Sequence, residues 1–219
     1  MCRGIAGKAV HVSAETQKLF QRLLKELRPV FRENGFRSAS QNFILESTEC
    51  WVIINFQKSR WAEANETIFY VNVAACTKRW LGFYGKPADK MPPHYGCDWT
   101  WRAEQFGPDK DIKQWTLRDE ESFQETYDYL RLLLEGFVLP ATSTMTREAD
   151  LMKHTGGFEY PQLKTRSIVL AATSQINDLR RTVATLIEKF GTAQGMREHL
   201  ELLRESYPEA MRSIELQDR

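Results

Sequence analysis

Between Trp51 and Thr77 the chain alternates more regularly than anywhere else, and that alternation limits what it can fold into. From Trp51 to Gln57, Val52, Ile54 and Phe56 point one way while Trp51, Ile53, Asn55 and Gln57 point the other. From Thr67 to Thr77, Phe69, Val71, Val73 and Ala75 oppose Ile68, Tyr70, Asn72, Ala74 and Cys76. A period of two places successive side chains on opposite faces of a strand, so the stretch predicts two strands of one sheet. One face is uniformly apolar and belongs in a core. The other mixes Trp51 and Tyr70 with the uncharged amides Asn55, Gln57 and Asn72, too apolar to be simply solvated and too polar to be simply core. Two readings follow: C-terminal helices cover this face and the amides bond to backbone or water, or the face takes a ligand.

Helical periodicity flanks the strands. Leu19, Phe20, Leu23, Leu24, Leu27, Val30 and Phe31 predict an amphipathic helix over 14–32, with Ser13 as N-cap, Pro29 as a kink or restart, and Asn34-Gly35 as its end. Ser38 to Leu45 reads as one strand. Trp99 to Glu104 and Gln114 to Leu117 read as two more. The Gly- and Pro-rich stretch 77–99 reads as a long loop. Later helices are expected over 119–137, ended by Gly136 and Pro140, over 144–154 before a Gly156-Gly157 break, over 176–190, and over 193–206, stopping before Pro208; 163–172 is ambiguous between helix and strand, with helix favoured. The expected fold is α+β, a mainly antiparallel sheet of four to five strands with an N-terminal helix and a C-terminal helical segment. Residues 1–140 form its sheet domain, and residues 141–219 are a helical extension packed on it.

Composition excludes several function classes. A formal net charge of +1 over 219 residues argues against a broad cationic surface for nucleic acid. A nucleic-acid module would need Lys58, Arg60, Lys78, Arg79, Lys86 and Lys90 to gather in one patch. No apolar run is long enough for a membrane span or a signal peptide, which predicts a cytoplasmic protein without a membrane partner. The four cysteines, Cys2, Cys50, Cys76 and Cys97, lack CxxC spacing, and His94 with Cys97 has no second pair to complete a ligand set, so neither metal nor cofactor is expected. His154 and His199 read as surface or packing residues.

No catalytic motif stands out. The side chains that best suit binding are Trp51, Asn55, Gln57, Tyr70 and Asn72 on the mixed face, and Lys58, Arg60 and Trp61 on the loop between the strands, where Trp61 either meets a partner or tucks onto the sheet. His94, Trp101 and Arg102 complete the set, with Trp101 and Arg102 on opposite sides of their strand.

Several stretches together, LRPVFRENGFRSASQNFIL (27–45), VIINFQKS (52–59), FYVNVA (69–74), TWRAE (100–104) and DIKQWTL (111–117), resemble the bacterial domain-of-unknown-function family DUF4304. The resemblance extends over about residues 15–140. Gln57, Lys58, Asn72, Trp101 and Arg102 match its recurrent positions. It implies no activity and no catalytic residue. The expected function is a non-enzymatic protein-interaction or small-ligand-binding domain, an accessory of the immunity or stress type, with an unidentified protein partner or small ligand. The rival is an enzyme, a hydrolase or a nucleic-acid-processing protein, with its site assembled from His94, Arg102, Asn72 and Gln57.

Overall fold

The computed structural model describes residues 14–61, 65–154, 158–193 and 195–215. Cys2, the Ser13 cap and the Gly156-Gly157 break fall outside them. By contacts the chain divides into two compact units. The first takes the residues up to Leu45, Ile53–Val73 and Arg102–Ser143; the second takes Glu46–Val52, Ala74–Trp101 and the chain from Thr144 onward.

The strands β1 (Arg37–Ala39), β2 (Asn42–Glu46), β3 (Cys50–Lys58), β4 (Thr67–Thr77) and β5 (Trp99–Arg102) lie in the order β1-β2-β3-β4-β5. A sixth, β6 (Trp115–Leu117), pairs antiparallel with β4, Phe69 opposite Trp115. The fold is α+β with an antiparallel sheet, as its alternation predicts. The sixth strand arises because the single strand expected over 38–45 is a hairpin, Ser38 facing Phe43 and Ala39 facing Asn42. Its turn uses Ser40 at φ 57°. Serine is an uncommon choice for that conformation, and no Gly or Asn marks the turn in sequence.

In the first unit, α1 (Ala14–Glu33) buries Phe20, Leu23, Leu24, Leu27, Val30 and Phe31. Pro29 neither ends nor restarts it. Pro29 and Lys25 both lie on the exposed side, where the carbonyl released by the missing N–H can be solvated. The helix closes at Gly35, φ 82°, with Phe36 N–H donating to Phe31 O at 3.0 Å. That left-handed position is why a glycine stands there.

Phe31 stacks on Phe43 with ring centroids 3.7 Å apart. Phe56 meets Phe43 at 5.6 Å and Phe69 at 6.1 Å, and Phe69 meets Phe20 at 5.3 Å. The apolar face read from the alternation is therefore an aromatic core under α1. Helix α3 (Glu120–Leu133) is capped reciprocally: Asp119 Oδ1 accepts from Ser122 N–H, and Ser122 Oγ accepts from Asp119 N–H. Gly136 and Pro140 do not end the helical path. A π turn, Leu134–Val138, carries it into α4 (Leu139–Ser143), and Pro140 lies directly after that turn, at a local break in the regular α-helical bonding.

The second unit holds α2 (Lys78–Phe83), α5 (Glu148–Leu151), α6 (Glu159–Ala172), α7 (Ile176–Phe190), α8 (Met196–Ser206) and α9 (Pro208–Glu215). Three of these differ from expectation. The supposed loop after Thr77 begins as α2, because Thr77 Oγ1 accepts from Trp80 N–H at 3.0 Å and caps it. Pro208 starts α9 rather than only stopping α8, the first helical position being where proline's fixed φ helps. The helix expected over 144–154 shortens to a 3-10 turn at Thr144–Thr146 and the single turn of α5. Ile168, Leu179, Val183, Leu203, Met211 and Ile214 form the core of these helices, with Trp80, Phe83 and Tyr84 packed on it. Among the described residues no helix is long and apolar enough to cross a membrane.

Candidate functional site

The mixed face of β3 and β4 becomes, in the first unit, one continuous row of side-chain hydrogen bonds. Asn55 Nδ2 donates to Asn42 Oδ1 at 2.7 Å. Asn72 Nδ2 donates both to Asn55 Oδ1 at 3.2 Å and to Gln57 Oε1 at 3.0 Å. Arg102 Nη1 donates to Asn72 Oδ1 at 2.5 Å, and the guanidinium lies 4.3 Å from the centre of the Tyr70 ring. Asn55 and Asn72 are buried, 3% and 8% exposed; Asn42, Tyr70 and Arg102 are half-buried and Gln57 is exposed. The row runs from the interior of the sheet to its surface.

Strand geometry explains why these side chains meet. Asn55 and Gln57 are two apart on β3 and so share a face, as Tyr70 and Asn72 do on β4. Arg102 is the last residue of β5, where Gln105 Oε1 accepts from its backbone N–H at 2.8 Å. Asn42 is the member that sequence reasoning missed. The recurrence of amides at 42, 55, 57 and 72 is the signal that leads to it.

The orientation of every amide follows from the arginine. A guanidinium only donates, so the Asn72 oxygen must accept from it. Asn72 Nδ2 then supplies both of its protons to Asn55 and Gln57, and Asn55 Nδ2 in turn faces Asn42 Oδ1. A buried carboxamide would otherwise be free to flip; here the charge at one end fixes the row.

Glu104 lies two residues past Arg102 and is 2% exposed. Burial raises its carboxyl above the ordinary range, while its own backbone N–H, Arg102 and the Trp115 indole pull it down. Neither carboxylate oxygen reaches a partner in hydrogen-bond geometry, nor does Trp115 Nε1.

The remaining candidates are placed elsewhere. Lys58 is on the α1 side of the sheet, with Nζ 3.4 Å from Gln17 Oε1 and 5.7 Å from the Phe20 ring centre. Arg60 is exposed, and Trp61 is 86% exposed rather than tucked onto the sheet. Trp51, His94 and Trp101 belong to the second unit. Trp51 is buried, its indole N–H donating to Ala88 O at 3.0 Å. Trp101 is buried edge-on to His154, and His94 packs edge-on against Tyr95. Of the cations considered for nucleic acid, Lys78 pairs with Glu46 at 2.8 Å and Arg79 with Glu148 at 2.9 Å.

Residues 27–144, more than half of the chain, match the model of a family described as a domain of unknown function, DUF4304. The chain belongs to this family. No curated protein and no solved structure matches it. The DUF4304 region contains every member of the amide row, from Asn42 to Arg102, and ends before α6 to α9.

A second polar cluster, in the helices of the second unit, had no signal in the sequence. His199 is fully buried, with Nδ1 2.7 Å from Tyr84 Oη and Nε2 2.9 Å from Ser167 Oγ. Ser167 Oγ–H donates to Lys164 O at 2.7 Å, so the hydroxyl accepts from His199 Nε2–H, and His199 Nδ1 accepts from Tyr84. This assignment makes His199 a donor to the serine, not a base for it. Burial, with the nearby Lys164 charge, lowers its pKa to about 3. Asp98, also buried, accepts from Thr165 Oγ1 at 2.7 Å, and desolvation pushes its carboxyl up to about 7. Among the described residues no three His, Cys, Asp or Glu side chains gather to hold a metal.

Proposed function

We propose that this chain is a non-catalytic binding protein that takes a small ligand or a segment of a protein partner on the amide face of its first unit. The observation that carries this reading is the buried Asn72 side chain, which joins Asn55, Gln57 and Arg102 in one bonded row and holds a half-exposed guanidinium against Tyr70. Donors fixed in advance lose little freedom on binding, so each contact they make counts toward affinity. No member of the row is a nucleophile with a base beside it, and the Ser167–His199 contact is fully buried with its proton pointing the wrong way for attack. These features favour binding over hydrolysis. Three buried free thiols, Cys50, Cys76 and Cys97, are in keeping with a reducing, cytoplasmic compartment.

The test compares wild type with Arg102→Ala, both immobilised and exposed to lysate of the native source, and both melted against a metabolite library. We expect at least one protein or small molecule to be retained by, or to stabilise, wild type and not the variant, with both proteins folded before ligand is added. Identical retention and identical shifts for the two proteins would sink the reading.

A further inference from the structure

The polarity of the amide row identifies the chemistry of its ligand, given the binding role proposed above. Arg102 forces Asn72 to accept at its oxygen and donate at its nitrogen, and the same sense passes to both neighbours. Gln57 spends its oxygen on Asn72, which leaves the Nε2 protons of this exposed residue as donors. Arg102 spends Nη1 on Asn72 and its ring-facing surface on Tyr70, which leaves Nε–H and Nη2 as donors. Gln57 on β3 and Arg102 on β5 flank one carboxamide, that of Asn72 on β4 between them, so both have donors to spare at the same end of the row. Asn42, at the other end, has likewise spent its oxygen, on Asn55. The row therefore ends in donors, with no amide oxygen left over at either end.

We infer that the Gln57–Arg102 end of the row binds a carboxylate, one oxygen on the unbonded nitrogens of Arg102 and the other on Gln57 Nε2. A carboxylate only accepts, and a stacked guanidinium beside an amide N–H matches its planar, two-oxygen edge. Glu104 does not fill these donors, since neither of its oxygens is hydrogen-bonded. Lys58 takes no part, being turned to the α1 side. A free small acid and an acidic side chain of a peptide both supply such a carboxylate; the chemistry at Arg102 and Gln57 is the same for both.

The experiment follows the side-chain Arg102 Nε–H and Gln57 Nε2–H₂ signals of the full chain by ¹⁵N NMR at constant ionic strength. The probes are sodium acetate, its neutral isostere acetamide, methylammonium chloride, sodium phosphate, and the blocked peptide acetyl-Gly-Glu-Gly-amide. Acetate and the peptide are expected to shift both signals saturably in the millimolar range, and acetamide and methylammonium to leave them in place. A tighter fit to the peptide assigns the carboxylate to a protein partner, and an equal or tighter fit to acetate assigns it to a small acid.

Gln57→Glu keeps the oxygen that Asn72 needs and replaces the outward donor by a negative charge, so it should melt like wild type and lose acetate binding by about tenfold or more. Arg102→Lys keeps the charge without the fork and should weaken binding about tenfold. Shifts from phosphate alone, or unchanged acetate affinity in a folded Gln57→Glu protein, would overturn the inference. Shifts of the same two signals by acetamide or methylammonium, with none from acetate, would overturn it while leaving a binding face in place. Silence of both signals to every probe, together with wild-type behaviour of Arg102→Ala in the lysate experiment, would remove both.

Discussion

Two buried polar networks in this molecule use the same kinds of hydrogen bond and end differently. In the second unit, Tyr84, His199, Ser167 and the Lys164 carbonyl form a chain in which both ring nitrogens of a fully buried histidine are bonded. That chain is closed, and its work is to let a polar group sit inside a helical core. In the first unit, the amide row begins at buried Asn55 and Asn72 and runs out to half-buried Arg102 and exposed Gln57. Its interior rungs are as satisfied as His199, but its ends carry donors with nothing attached. A satisfied network stabilises; a satisfied network with donors left at the surface also presents something to bind. The difference lies in the termini of each chain of bonds, not in the residues that make it.

Cutting each network at its centre should separate the two roles most strongly. His199→Ala removes a fully buried ring, leaves Tyr84 and Ser167 unpaired and opens a cavity, and should cost about 3–5 kcal/mol. Asn72→Ala strips three bonds from the amide row but should cost less, about 2–3 kcal/mol, because Gln57 and Arg102 can turn to water. Urea unfolding of the two variants measures this directly. Equal losses would mean that the amide row is as closed as the histidine cluster and would weaken the contrast drawn between them.

Acidification offers a second, smaller test. His199 is neutral in the fold with its pKa at about 3, below the ordinary 6.5, so the unfolded chain binds the extra proton and stability is lost as pH falls from 6.5 towards 3. Asp98 has the opposite sign. Burial raises its pKa from 3.8 to about 7, so its contribution is fully present below 3.8 and is lost as pH rises through 7. Between 3.8 and 6.5 the two slopes oppose each other, each at most about 1.4 kcal/mol per pH unit. Relative to wild type, unfolding free energy should therefore rise with pH in Asp98→Asn and fall with pH in His199→Phe. Curves of the same sign in both variants would contradict the assignment.

The two networks were unequally legible in the sequence, for a physical reason. The amide row is built on strands, where a period of two puts Asn55 with Gln57 and Tyr70 with Asn72 on one side whatever their partners are. Only its outer members needed the structure: Asn42, hidden by a hairpin turn at Ser40 without a turn residue, and Arg102, whose contact with Asn72 depends on strand order. The histidine cluster joins positions 84, 167 and 199, on three segments with no shared period, and helical patterning marks which face is inward without saying which inward polar groups will meet. Local punctuation misled in the same way. Thr77 as a cap and Pro208 as a helix start both depend on which side of the residue the helix lies, and a lone proline or threonine does not specify it.

The smallest effect is the one that bears most on function. Gln57 is the exposed end of the amide row, joined by a single bond to Asn72 Nδ2. In Gln57→Ala, water can replace the lost oxygen at Asn72, because the position lies where the row already meets solvent. The expected loss of stability is therefore below about 0.5 kcal/mol, the range of ordinary surface substitutions. Ser167 in the closed cluster is the matching control, the side chain bonded to His199 Nε2 but fully buried. Ser167→Ala leaves the His199 Nε2–H without an acceptor and should cost about 1–3 kcal/mol. If denaturation midpoints showed Gln57→Ala to be as damaging as Ser167→Ala, the outer amide would be a structural brace. If Gln57→Ala is silent in stability, the glutamine is retained there for its free N–H groups, which is the property a carboxylate would use.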